Sequence, residues 1–373
     1  MGSILSDFGP TILFLVLGWL VLGIVDPWFP HGTAALAHAP WAVWTFTPTI
    51  LLPMALALFW YRRGQKGAGD GALRRFLFAA ALAVLFFVLQ SPFEAFSDRL
   101  FTVHQIEHMA LSTIGPLLLI LAAPQAAILR GMPQGLRHRV VPWLMQRGPL
   151  HGSFAFLSRP AVAVLLFAGA TDFWMIPRLH DASLRLPLVH EFWHFTLFVS
   201  GMVFFFRVLD PRPAPLGAPL LARLLMCWCA EVNVLLLGFY LGFKTMVLYP
   251  VYGRMAPYWH VSPLADERFG ALTMWIPGAM MIAIGALVAL YRTAGHEERQ
   301  AVRMRALPAA PPIRAAAFRA SRAAGNRALV AGLLGFVLLV LVLTGAMALT
   351  YERTIGRMDL IHPRAADVSG AAG

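Results

Sequence analysis

The sequence predicts an all-α fold, a polytopic transmembrane helical bundle of about nine helices, with counts from seven to nine fitting the pattern. Three observations predict it. Of 373 residues, 59% are hydrophobic and only 13% are charged, whereas water-soluble chains carry charge on about a quarter of their positions. Charge-poor runs recur along the whole chain. The basic residues gather in alternate connections between those runs.

The runs lie at 11–25, 42–60, 76–90, 105–123, 161–177, 188–206, 220–243, 269–291 and 328–350. Several only approach the roughly 20 residues that a spanning helix needs, but neutral flanks can extend each one. Met1 to Pro10 has no Lys or Arg, so the first run reads as a retained helix and not a cleaved signal. The connections 61–75, 124–160, 207–223 and 292–327 together hold 21 basic and four acidic residues, while the alternate connections hold six of each, among them Asp26, Glu94, Asp98, Asp266 and Glu267. By the positive-inside rule the basic set is cytoplasmic, with the N-terminus inside and the C-terminus outside. The formal charge of +12 thus reports topology, and membrane lipid rather than nucleic acid is the expected partner. The eight Arg of 292–327 suit either a solvated topology signal or an amphipathic helix on anionic lipid. The chain divides into a first helix and outer loop (1–40), a transmembrane core (41–291), an Arg-rich cytoplasmic loop (292–327) and a last helix with an external tail (328–373). Cys227 and Cys229 are the only cysteines. Two apart on a helix, they point in different directions and read as packing residues.

This topology puts nine of the twelve histidines at the outer side: His31, His38, His104, His108, His180, His190, His194, His260 and His362. Four of them form two pairs of equal spacing, in VHQIEHMALSTIGP and VHEFWHFTLFVSG. Residues four apart share a helix face, so His104 with His108 and His190 with His194 each present two imidazoles in one direction, at matched depth. Buried polar groups near hydrocarbon need partners. A shared metal site and a hydrogen-bonded polar network both meet that need.

Imidazole suits copper, zinc and iron. Met109, Met175 and Met274 lie close to the same side, and thioethers tilt a site toward Cu(I), although methionine in an apolar chain is commonly packing. Carboxylates line the same rim: Glu107, Asp172, Glu191, Asp266 and Glu267. Such groups orient imidazoles or ligate directly. The candidate metal residues are therefore His104, His108, His190 and His194, with Asp172, Met175 and Asp266 beside them.

Enzyme readings are weaker. His190, Glu191 and His194 spell HExxH, the metalloprotease pattern, yet a third ligand is lacking: Asp210 lies 16 residues beyond His194, over 20 Å along a helix at about 1.5 Å per residue. A di-iron oxygenase needs more histidines than these four. Bis-histidine haem would leave one histidine of each pair without a task.

Three stretches, HQIEHMALSTIGPLLLILAAP from His104, WMIPRLHDASLRLPLVHEFWHFTLFVSGMVFFF from Trp174 and LYPVYGRMAPYWHVSPLADERFGALTMWIPG from Leu248, carry a resemblance. The chain resembles the CtaG-type (caa3-type) cytochrome c oxidase assembly factors from roughly 40 to 291. The second stretch holds His180 and Asp181, and has Met175 where the family usually has histidine. The third keeps Asp266, but Glu267 and Arg268 replace the family's glutamines. The resemblance implies a non-enzymatic assembly factor for a haem-copper oxidase in the bacterial cytoplasmic (inner) membrane, binding and delivering copper at the outer face. Zinc, iron or haem are the alternative cofactors. The implied partners are oxidase subunits and an external or periplasmic copper carrier, and self-association is compatible. An intramembrane metal-dependent hydrolase, a haem protein and a metal-free assembly scaffold are the competing functions.

Overall fold

Prolines set many of the helix starts. Pro48, Pro92, Pro160, Pro177, Pro187 and Pro263 each open a helix, where the missing N–H has no intrahelical acceptor to lose. The computed structural model describes residues 2–25, 39–65, 71–143, 149–212, 217–254, 261–305 and 342. Its helices are α1 (Gly2–Val25), α2 (Pro48–Gly64), α3 (Ala72–Gln90), α4 (Pro92–Ser97), α5 (Phe101–Met109), α6 (Gly115–Ala122) and α7 (Gln125–Gly131). They continue as α8 (Pro149–Leu157), α9 (Pro160–Trp174), α10 (Pro177–Ser183), α11 (Pro187–Val208), α12 (Leu220–Phe243) and α13 (Pro263–Arg305). All belong to one unit of the chain, residues 1–310.

Among the described residues, five stretches are long and apolar enough to cross a membrane: α3, α5 through α6, α11, α12 and α13 as far as Gly295. A sixth is counted if α8 and α9, bent by 81° at their junction, make one broken span. The protein is therefore an all-α, multi-pass membrane bundle. Of the other expected spans, only 48–60 of the run at 42–60 falls in the 17-residue α2, and 11–25 falls in α1. The run at 328–350, the tail expected to be external, and most of the Arg-rich loop lie outside the described residues. That loop begins as a continuation of α13, whose 43 residues measure about 64 Å at 1.5 Å per residue, longer than a bilayer is thick.

The helices alternate in direction. At one end, the start of α5 is bonded to the start of α13, and α10 is bonded to the loop after α12, as detailed below. At the other, Arg292 Nη1 donates to Leu209 O at 3.1 Å, joining α13 to the end of α11. Helix α13 packs along α12 and α5, α9 lies against α11 and α12, and α11 crosses the α5–α6 span.

That span is interrupted by a π-helical turn, Ala110–Ile114. Pro116 follows it and lacks the N–H that would bond the Ser112 carbonyl, so the regular ladder breaks just before it. The freed Ser112 backbone is where α11 comes closest. A Cβ on Gly201 would overlap the Ser112 carbonyl oxygen, so only glycine lets the two backbones approach this far. Gly115, on the same span, has a different neighbour: its Cα faces Leu85 of α3.

Candidate metal centre

His104 and His108 are the fourth and eighth residues of α5, and His190 and His194 are the fourth and eighth of α11. Because these helices enter from the same end, matched positions become matched depth. Ring centroids are 4.0 Å apart for His104 and His108, 4.2 Å for His190 and His194, 5.3 Å for His104 and His190 and 5.4 Å for His108 and His194. The ligand nitrogens of His104, His108 and His190 all lie within 4.8 Å of one another. Metal–nitrogen bonds of 2.0–2.1 Å allow at most about 4.1 Å between two ligands, so imidazole rotations of about an ångström bring the trio onto one ion.

The hydrogen bonds fix which nitrogens are free. His104 Nδ1 lies 3.2 Å from the Ser97 carbonyl, which accepts only if that nitrogen carries the proton, leaving the Nε2 lone pair for a ligand. His104 Nε2, both His108 nitrogens, His190 Nε2 and His194 Nε2 are buried and make no hydrogen bond among the described residues. Buried imidazole nitrogens are normally satisfied, and here so many converge that a cation is the partner that serves several at once. Both oxygens of the fully buried Glu107 likewise make no hydrogen bond, and one is 3.7 Å from His194 Nε2. That carboxylate would supply the countercharge a buried cation needs.

Trp193, fully buried one residue before His194, fills the space between the histidine pairs, its ring 4.1 Å from His108 and 5.0 Å from His104. His180 sits 5.5 Å from His104 but is engaged on both sides: Nδ1 donates to Trp174 O at 3.1 Å, so Nε2 accepts from the Tyr252 hydroxyl at 2.6 Å. Burial pushes its imidazole down to about 3. His180 is thus a neutral brace with no lone pair left over. Neither residue was a candidate by sequence. Trp193 had a signal, since it stands three residues after His190 on the same face.

The remaining candidates are held elsewhere. Asp172 Oδ1 accepts from Asn233 Nδ2 at 3.1 Å, tying α9 to α12. Asp266 accepts from the backbone N–H groups of Phe101 (2.7 Å) and Thr102 (3.0 Å), and its own carbonyl accepts from Thr102 Oγ1. It caps α5 from another helix, one turn before His104. Met175 is buried, with its carbonyl accepting from Tyr249 at 2.7 Å. Glu267 pairs with Lys244 and accepts from the N–H groups of Leu248 and Tyr249. Arg268 donates to the Lys244 carbonyl. Three consecutive residues thus hold α5 and the 244–252 segment against the histidines. Glu191, the would-be base of HExxH, is exposed.

Fold and site define a multi-pass membrane protein with a buried histidine cluster able to coordinate a metal ion. A family model described as cytochrome c oxidase caa3 assembly factor (CtaG) matches residues 54–295, and the chain belongs to that family. It is 28% identical over 228 residues to an uncharacterized protein of Mycobacterium leprae (strain TN), covering 59% of this chain and 34% of that one. It is also 28% identical over 262 residues to uncharacterized proteins of Mycobacterium bovis and Mycobacterium tuberculosis, covering 63% of this chain and 38% of each. The chain spans about a third of the length of these curated relatives. No solved structure matches it significantly.

Proposed function

We propose that this chain takes part in maturing a haem-copper cytochrome c oxidase by binding Cu(I) as cargo at the outer face of the bacterial cytoplasmic membrane and passing it on. The observation that carries the reading is the meeting of His104, His108 and His190, from two separate helices, with unpaired buried nitrogens. His194 and Glu107 stand beside them as exchange donor and countercharge. Asp172 and Asp266 keep structural partners, and Met175 is a donor of a neighbouring position. In this reading about nine helices span the membrane, the N-terminus and the 61–75, 124–160, 207–223 and 292–327 segments are cytoplasmic, and the tail after 351 is external. Oxidase subunits receive the ion, and an external carrier supplies it.

The test is metal analysis of the purified protein, loaded anaerobically with Cu(I), beside a His104→Ala/His190→Ala variant, together with oxidase assembly in cells carrying each. Loss of both copper and oxidase maturation at normal protein abundance is expected. Copper retained unchanged in the variant moves the site elsewhere. A haem absorption band lost with the same residues favours a haem protein, and normal maturation in the variant favours a metal-free scaffold.

A further inference from the structure

We infer that a second position for a soft monovalent cation lies one helical turn deeper than the histidine cluster, with the thioethers of Met109, Met175 and Met274 as donors and His108 shared between the two positions. The inference rests on the Cu(I) reading of the histidines. A cavity of about 40 Å³ is lined by Gln105, His108, Met109, Thr171, Met175 and Met274, among others; roughly 10–15 Å³ already holds a water. Its lining runs down α5 to Ser112 and Thr113 and down α11 from Trp193 to Leu197, which sets it inward of the histidines at positions 104 and 190.

Packing alone does not account for what faces this space. The three methionines come from α5, from the end of α9 and from α13, stretches far apart in sequence that bring their sulfur-bearing side chains to one cavity. Met175 and Met274 are buried. Leucine would fill the same volume, and what methionine adds is a polarizable neutral donor. The cavity is not purely apolar either. Gln105 and His108 line it, and Gln105 Nε2 and both His108 nitrogens are buried and make no hydrogen bond among the described residues. Thr113 and Thr171 return their hydroxyl protons to their own helices, to Met109 O and Phe167 O, so they do not satisfy those groups. Thioethers and one imidazole form a soft, uncharged donor set that suits Cu(I) or Ag(I). Divalent zinc or Cu(II) would carry a larger desolvation cost into this lining with no added anionic ligand. An ion moving from the histidine nitrogens to the cavity would keep His108 throughout.

The test is copper X-ray absorption on the full-length protein in detergent, loaded anaerobically with Cu(I), compared with a Met109→Leu/Met175→Leu/Met274→Leu variant. The expected wild-type spectrum contains sulfur as well as nitrogen scatterers. The variant is expected to lose the sulfur contribution while nitrogen-bound copper remains. A wild-type spectrum with nitrogen scatterers alone overturns the inference whatever the variant does, and leaves the histidine site standing. Failure of the wild type to bind Cu(I) at all overturns both. Sulfur scattering that persists in a folded variant assigns it to other residues and also overturns the inference.

Discussion

Replacing Asp266 separates two roles that the carboxylate could have. Its oxygens accept from Phe101 N and Thr102 N at 2.7 and 3.0 Å, at the positive end of the α5 dipole. Hydrogen bonds to a charged group contribute about 1.5–3 kcal/mol each, and the two are partly redundant, so Asp266→Ala should cost on the order of 3 kcal/mol. Part of that is the fully buried Phe101 N–H left without an acceptor. Asp266→Asn keeps one acceptor and loses the charge, for roughly half the cost. Unfolding in mixed micelles with the metal-free protein measures this directly. Because His104 bonds back to Leu100 O in the first turn of α5, fraying there should also weaken Cu(I) affinity, in step with the lost stability across the Ala and Asn variants. Metal-free stability within about 0.5 kcal/mol of wild type, the size of an ordinary surface change, would refute the capping argument. If affinity collapsed at the same time, Asp266 would be a ligand.

Tyr252→Phe should destabilise the metal-free protein by about 1–3 kcal/mol, since it leaves the buried His180 Nε2 without a donor; the same unfolding assay reads it, and no effect would remove His180 as a brace. Gly201→Val should lower the yield of folded protein and separate α11 from the π turn, with an overpacking cost of about 1–3 kcal/mol or more, visible as lost cross-linking between cysteines placed at 108 and 194, whose rings are 5.4 Å apart. Burial pushes the Glu94 carboxyl up to about 8, with Asp98 and Glu191 adding to the rise and the Thr45 hydroxyl opposing it. The folded state therefore holds a proton that the unfolded state has released between 4.5 and 8, and stability falls as pH rises through that window. Glu94→Gln should flatten this dependence, becoming more stable than wild type near pH 8; parallel pH profiles would refute it. His180 has the opposite sign. Its folded value lies below its unfolded one, so its contribution is present above pH 6.5 and is lost as pH falls from 6.5 toward 3.

Much of this protein is legible without coordinates. Low charge with repeated apolar runs leaves a membrane bundle as the fold, because a chain with so few charged side chains cannot cover a water-soluble surface. Two HxxxH pairs at the starts of helices running in the same direction already imply imidazoles at one depth, since helical periodicity is local and depth follows from counting residues along an axis of fixed rise. Which groups finally face each other is not local. Asp266, Glu267 and Arg268 look alike as rim charges in sequence, yet one caps α5 and the others clamp the 244–249 backbone. Gly115 and Gly201 are alike in sequence, but a Cβ on the second would meet the Ser112 backbone while one on the first would meet Leu85 of α3. His180 resembles its neighbours in composition and is set apart by a hydroxyl 72 residues away. Met109, Met175 and Met274 could each be packing until three helices place them on one cavity. In each case the deciding partner sits on another helix, and its position depends on the rotation and close approach of packed helices, to which sequence periodicity is blind.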